Sequence, residues 1–322
     1  MRAVVITCHG GPEVLSVDEV ASPTPRSGHV LVRLEAAGLN FHDVIERRSG
    51  YPGQGEPPLR TGQEGCGTVT ELGAGVSQIA CGTRVMWGSG VGSHAEFVEV
   101  PADRAIPVPD WLDPTHAAAV CAQGLTAHYL ANSIKDLRAG ETALVWAAAG
   151  GVGRLLTQML AAKGVRVLAA TSSAQKADIA REAGAERAVL NADVPAAVKE
   201  TTGGRGVDVV FDGVGAPTFD VGLASVRRRG LLVVYGRAGG QVPPIDIARL
   251  SGAGSITLVR PRFVDFTASR EELLARSEQL LTWLRDGVVS VRIDAMFSLD
   301  DIAEAHRVLE SRGVIGKVVL TP

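Results

Sequence analysis

The segment Ala143-Leu-Val-Trp-Ala-Ala-Ala-Gly-Gly-Val-Gly153, running directly into an amphipathic stretch Arg154–Lys163, limits the folds open to this chain more than any other feature. An apolar strand that ends in small residues and turns at once into a helix lets backbone N–H groups and the positive helix end approach a pyrophosphate. The G-x-G-x-x-G register falls on Ala148, Gly150 and Gly153, so alanine stands at the first glycine position. Such a loop can also be a tight turn with no nucleotide, and the pattern of the downstream strands decides between the two. Further apolar runs at Val165–Ala170, Ala188–Leu190, Val207–Phe211, Leu231–Tyr235 and Ile256–Val259 alternate with helical stretches. Continuous apolar strands between helices are what a parallel sheet covered on both faces requires. The spacing predicts an α/β Rossmann domain, a doubly wound parallel sheet with Gly150, Gly151 and Val152 on the pyrophosphate of a dinucleotide.

Which dinucleotide is expected depends on the end of the second strand. A site for NAD places Asp or Glu about 20 residues past the glycines, on the ribose 2′-hydroxyl. Here the stretch is Ala169-Ala-Thr-Ser-Ser-Ala-Gln-Lys176, with no acid. Ser172, Ser173 and Lys176 offer hydroxyls and a cation at a helix start, which suits a 2′-phosphate and hence NADPH. A helix-capping serine beside a solvated lysine is the plainer reading of the same residues. Two more strands end in glycine, in Phe211-Asp-Gly-Val-Gly215 and Val234-Tyr-Gly236, which puts Val214, Gly215, Tyr235, Gly236 and Arg237 toward the nicotinamide half of the site.

The first 121 residues have a different texture, with short β-type runs at Ala3–Thr7, Val14–Val20, His29–Ala37, Gly67–Leu72, Thr83–Met86 and Ala95–Val100. A helix is expected over Thr126–Ile134, and beyond Arg260 come a helix Arg270–Arg285, an apolar run Val288–Ile293, a helix Leu299–Ser311 and a strand Lys317–Leu320. A length of 322 residues fits about two domains. A net charge of -3 without a basic block removes the electrostatic footprint of a nucleic-acid or acidic-membrane binder. Cys8, Cys66, Cys81 and Cys121 are dispersed, which argues against a disulfide framework or zinc knuckle and suits a reducing cytoplasm. The N-terminal apolar run is too short for a signal segment, and no run reaches the ~20 residues that span a bilayer.

Several motifs occur in the order found in medium-chain dehydrogenase/reductases: Gly38-Leu-Asn-Phe-His-Asp43, Gly62-Gln-Glu-Gly-Cys-Gly-Thr-Val69, Gly82-Thr-Arg-Val85, Gly124-Leu-Thr-Ala127, the glycine loop, Gly203-Gly-Arg-Gly-Val-Asp208 and Gly316-Lys-Val-Val-Leu320. Within that superfamily the chain resembles the zinc-free quinone oxidoreductase (zeta-crystallin-like) branch, through His9-Gly-Gly-Pro-Glu-Val-Leu15, Asn40-Phe41, Ala174-Gln-Lys176 and Arg260-Pro261. The resemblance implies a GroES-like catalytic domain over 1–122, a Rossmann NADPH domain over 123–259 and a segment 260–322 that completes the catalytic domain. It also implies a homodimer, with Asn40, Thr126, Phe263 and Lys317 on the cofactor and Asn40 also counted, with Tyr51 and His42, among the catalytic residues.

Where zinc-dependent relatives place a cysteine and then Gly-His-Glu, this chain has Asn40 and Gln63-Glu64, so no metal is expected. The one competing arrangement is a convergence of His42, Glu64 and Cys121. Without a Lewis acid a simple carbonyl loses several kcal/mol of assistance, whereas quinones and α,β-unsaturated carbonyls delocalise the added charge. Tyr51, in Ser49-Gly-Tyr-Pro-Gly53, matches the branch's site tyrosine and is the expected donor. The branch's second site tyrosine is Ile45 here, and its cofactor-contacting tyrosine is Ala192; His42 is a possible acid in place of the former. The expected activity is NADPH-dependent reduction of a quinone, by hydride or single electrons. Two rivals are an enone or enoyl-thioester reductase, with Arg47, Arg48 and Arg60 at the acyl entrance, and a non-catalytic NADPH-binding protein.

Overall fold

The structure, a computed structural model, describes residues 1–50, 55–90 and 92–322. The described chain divides into two compact units: Met1–Leu125 with Thr267–Gln279 and Val291–Pro322, and Thr126–Phe266 with Leu280–Ser290. In chain order the first unit contributes β1 (Arg2–Ile6), β2 (Leu15–Glu19), β3 (His29–Leu39), β4 (Leu59–Arg60), β5 (Glu64–Leu72), β6 (Arg84–Trp87), β7 (Phe97–Pro101) and β8 (Ile106–Pro107). The second contributes β9 (Thr142–Trp146), β10 (Arg166–Thr171), β11 (Arg187–Leu190), β12 (Val207–Asp212), β13 (Val226–Val234) and β14 (Thr257–Val259), and the chain returns to the first unit with β15 (Ile293–Ser298) and β16 (Lys317–Thr321).

In the first unit β3 is the organising strand. It pairs antiparallel with β5 along one edge and, on the other, with β7 over residues 29–33 and with β16 over residues 37–39. The sheet order is β15-β16-β3-β5-β6-β8, and a smaller sheet runs β2-β1-β4. Val30, Val32 and Leu34 of β3, Val318 and Leu320 of β16, and Ile302 and Leu309 of the helix Ile302–Glu310 pack in one core. Residues from the two ends of the sequence are therefore neighbours, and the C-terminal strand completes the sheet that the N-terminal part begins.

The second unit is a six-stranded parallel sheet in the order β11-β10-β9-β12-β13-β14. Chain order reverses between β9 and β12, the switch point at which such sheets take their ligands. Every residue of β9 and β12 is buried, which is why these segments are largely apolar in the sequence, β12 being interrupted by the buried Asp208. Two elements differ from expectation. The helix predicted over Thr126–Ile134 is Pro114–Asn132, because Ala117–Cys121 are five consecutive buried residues with no polar alternation to reveal the period. The strand near Val288–Ile293 begins only at Ile293 and runs to Ser298, with Val289 buried in the turn before it.

Candidate active site

In the second unit β9 ends at Trp146, and Ala147 takes φ 53°, a left-handed conformation in which its carbonyl accepts the Gly150 N–H at 2.9 Å. A Cβ on Gly153 would lie 2.3 Å from that same carbonyl oxygen, so only glycine lets the helix Gly151–Ala162 approach the strand this closely. No side chain caps that helix at Gly150, leaving its positive end open to an anion. At the end of β10, Ser172 is exposed and Ser173 Oγ accepts the Lys176 N–H at 3.3 Å, starting the helix Ala174–Glu182. Ser173 is thus the helix cap of the plainer reading, while Ser172 and the first-turn Lys176 flank the same helix start with no carboxylate among residues 169–176. The fit to a phosphorylated dinucleotide is therefore chemical as well as topological.

The next strand ends are equally close. A Cβ on Gly236 would lie 2.3 Å from Gly213 O, and one on Gly213 would lie 2.7 Å from the Tyr235 hydroxyl. Asp212 is buried and accepts from Val214 N at 2.7 Å, Gly215 N at 3.0 Å and the Thr218 hydroxyl, which shapes the turn carrying Val214. Burial still holds its carboxyl above the ordinary value. Burial likewise pushes the Tyr235 hydroxyl up, so it stays protonated and able to donate. Thr126 hydrogen-bonds the Tyr129 hydroxyl, Tyr129 stacks on Phe266 with centroids 4.6 Å apart, and Phe263 lies half-buried in the same short turn as Phe266.

The first unit holds a second group of expected residues, in a polar cluster at the end of β3. Lys317 Nζ bonds Asn40 Oδ1 at 2.7 Å and pairs with Glu64 Oε1. Both partners of that ion pair are buried, with side chains 1% and 0% exposed. Asn40 Nδ2 donates to Glu64 Oε1 at 2.7 Å, Gln123 Nε2 donates to Asn40 Oδ1 at 3.2 Å, and Ala122 N donates to Glu64 Oε2 at 2.7 Å. A Cβ on Gly38 would lie 2.3 Å from Glu64 Oε1, so the glycine of Gly38-Leu-Asn40 makes room for the carboxylate. Lys317, expected on the cofactor, thus has two of its three N–H bonds held by Asn40 and Glu64. Asn40 N donates to Asp43 Oδ2 at 2.7 Å, which fixes the start of the helix Phe41–Ser49.

Other expected residues part company. Tyr51 lies outside the described residues. His42 groups with Asp43 and Glu46, the ligand atoms all within 4.8 Å of one another, and among the described residues it forms no such group with Glu64 and Cys121. Arg47 is no surface cation: it is fully buried, paired with Glu310 and hydrogen-bonded to His306 Nδ1 at 3.1 Å. Arg48 also pairs with Glu310, so of the three arginines proposed for an acyl entrance two are held by one carboxylate.

The donors around Asn40 do not fit a zinc ion. An amide is a poor ligand, the Glu64 carboxylate is neutralised by Lys317, and burial raises the Cys121 thiol well above its ordinary value, keeping it protonated.

Two family models match the chain, the alcohol dehydrogenase GroES-like domain over residues 26–110 and the zinc-binding dehydrogenase domain over 151–279. A quinone oxidoreductase of Pseudomonas aeruginosa is 36% identical over 100% of this chain and 99% of its own length. The chain belongs to the quinone oxidoreductase family of medium-chain dehydrogenase/reductases. A mycobacterial structure complexed with NADPH superposes on this family member with a TM-score of 0.96 at 41% identity, covering 100% of both chains. A 2-haloacrylate reductase of Burkholderia is 34% identical over 100% of this chain and 99% of its own. The α/β fold with a GroES-like and a Rossmann domain, and the oxidoreductase class, come with the family.

In this quinone oxidoreductase relative the residue that sequence reasoning missed is Gln123. It stands directly before Gly124-Leu-Thr126, but nothing in the sequence links it to Asn40. Glu64 was visible only as a possible metal ligand; its partner Lys317 lies 253 residues further along the chain.

Proposed function

We propose that the protein is an NADPH-dependent, zinc-independent reductase of quinones. The observation that carries the reading is the acid-free end of β10, where Ser172 and Lys176 flank a helix start next to the open glycine loop. NADPH, when bound, supplies a hydride. Gly151 and Val152 take its pyrophosphate on their N–H groups, with Gly150 lining the loop beside them; Ser172, Ser173 and Lys176 take the 2′-phosphate; Val214, Tyr235 and Gly236 line the site further along the sheet, with Thr126 and Phe263 beside them. A quinone accepts the hydride and becomes a hydroquinone monoanion, and a proton from Tyr51, from His42 or from water completes the reduction. Full-length likeness to quinone oxidoreductases supports the acceptor class. Likeness to a 2-haloacrylate reductase supports a second reading, reduction of an activated carbon–carbon double bond, where the anion formed is an enolate. We read the chain further as a cytoplasmic homodimer. Its four cysteines are free, and β14, paired on one side only, offers an open sheet edge in a unit that also exposes Ile247.

The test is oxidation of NADPH by 1,4-naphthoquinone in the presence of EDTA, with NADH and an α,β-unsaturated ketone in parallel. Rapid, NADPH-selective oxidation with the quinone is expected, and Lys176→Ala with Ser172→Ala should weaken NADPH at least tenfold while leaving NADH unchanged. Oxidation by the ketone alone would move the assignment to the second reading. Equal use of both nucleotides would refute the 2′-phosphate site.

A further inference from the structure

The cluster around Asn40 has a feature that neither a structural ion pair nor a cofactor contact requires. The Asn40 amide has one orientation open to it. Its oxygen faces two donors, Lys317 Nζ and Gln123 Nε2, and its nitrogen faces an acceptor, Glu64 Oε1. A flipped amide would set NH2 against an ammonium and oxygen against a carboxylate, so the charges on both sides select the observed one. One Nδ2 hydrogen goes to Glu64, and the other is not committed within the cluster. Lys317 and Glu64 are buried, whereas Asn40 and Gln123 are half-buried, so this hydrogen belongs to a member of the network that reaches the surface. The ammonium on the carbonyl side draws electron density through the amide, offsetting the density that the Glu64 carboxylate returns through the first Nδ2 hydrogen, so the second N–H is held in place as a donor.

We propose that Asn40 donates this hydrogen bond to the oxygen on which negative charge develops in the acceptor, and that Lys317, Glu64 and Gln123 are positioning residues that orient and polarise the Asn40 amide. The inference rests on the reductase reading above and deepens it. It holds for any acceptor whose reduced form is an oxyanion, a hydroquinone monoanion or an enolate alike. Such preorganised donors act where charge appears in the transition state and need no rearrangement when it does. In this chain a buried cation acting through an amide takes the place that a Lewis acid would otherwise fill.

The probe is 4-nitrophenol, whose ionised form is coloured and mimics a hydroquinone monoanion, titrated into the protein with NADP+ present. The wild type should bind it with its ionisation favoured, the colour appearing at lower pH than for the free phenol. Asn40→Ala should weaken binding at least tenfold and abolish the colour shift, and Gln123→Leu, which removes a donor without burying a charge, about threefold. The double variant Lys317→Met/Glu64→Gln, which keeps the cluster neutral and so preserves folding, should lose the preference for the ionised form while its NADPH dissociation constant stays within twofold of wild type. No phenolate binding by the wild type, variants equal to it, or NADPH affinity falling as far as phenolate affinity would each overturn the proposal, the last by making Lys317 a cofactor ligand. A wild type that binds the phenolate but oxidises no NADPH with quinone or enone refutes the reductase reading and leaves the oxyanion site standing.

Discussion

Replacing Lys317 by Met alone removes one half of an ion pair whose other half, Glu64, is fully buried. The methionine fills much of the space of the lysine stem, so the cost is chiefly electrostatic. Glu64 keeps two neutral donors, Ala122 N and Asn40 Nδ2, both at 2.7 Å, but loses its counter-charge. Breaking a buried pair from one side typically costs about 3–5 kcal/mol, whereas replacing both members together is often close to neutral. The single variant should therefore lose about 4 kcal/mol, and Lys317→Met/Glu64→Gln should recover all but about 1 kcal/mol, since the new amide oxygen still accepts the Ala122 N–H. Urea denaturation of the ligand-free protein, with Glu64→Gln as the fourth corner of the cycle, measures the coupling directly. A coupling energy within about 1 kcal/mol of zero, the range of a solvated surface pair, would refute the argument.

Gly153→Val is expected to force the helix Gly151–Ala162 away from β9, since its Cβ would meet the Ala147 carbonyl at 2.3 Å, and to raise the NADPH dissociation constant at least tenfold in a fluorescence titration; unchanged binding would show that the close approach is dispensable. Acid sensitivity should trace in part to His94, whose ring is fully buried and held down to about 4 from 6.5 chiefly by that burial. Below pH 6.5 the unfolded chain takes up a proton that the folded ring refuses until about pH 4, so stability falls across that window by about 3 kcal/mol. Denaturation at pH 7 and pH 4 should show a correspondingly smaller difference in His94→Asn than in wild type, and an equal difference would reject the assignment. His306, pushed down to about 2 by burial, works in the same direction and remains in the variant.

Legibility in the sequence tracked burial geometry. The strands β9, β10 and β12 were plain because a parallel strand covered on both faces is a largely apolar run, ended by a small-residue or glycine turn in β9 and β12 and by a serine turn in β10. The helix Pro114–Asn132 lost its first turns to a related cause, since the fully buried run Ala117–Cys121 shows no polar stripe. Site residues were legible where one turn holds them together, as with Gly150–Gly153 or Ser172–Lys176. They were not legible where pairing across the sheet makes the site. Lys317, Glu64 and Asn40 meet only because β3 lies between β5 and β16, Gln123 joins them from the helix Pro114–Asn132, and Arg47, charged and in a helix, gave no sign that it would be buried against His306 and Glu310.

The position of β16 has a consequence for how this protein is made. Lys317 reaches Asn40 across 277 residues of sequence, and until the last strand is laid beside β3 the carboxylate of Glu64 has no counter-ion and the edge of β3 at residues 37–39 has no partner. A nascent chain therefore carries the first unit unfinished until residues 317–321 have been made, with the β3 edge at residues 37–39 open in the meantime. A polypeptide interrupted before Lys317 already has all six strands of its parallel sheet, yet it leaves the buried Glu64 carboxylate without its cation.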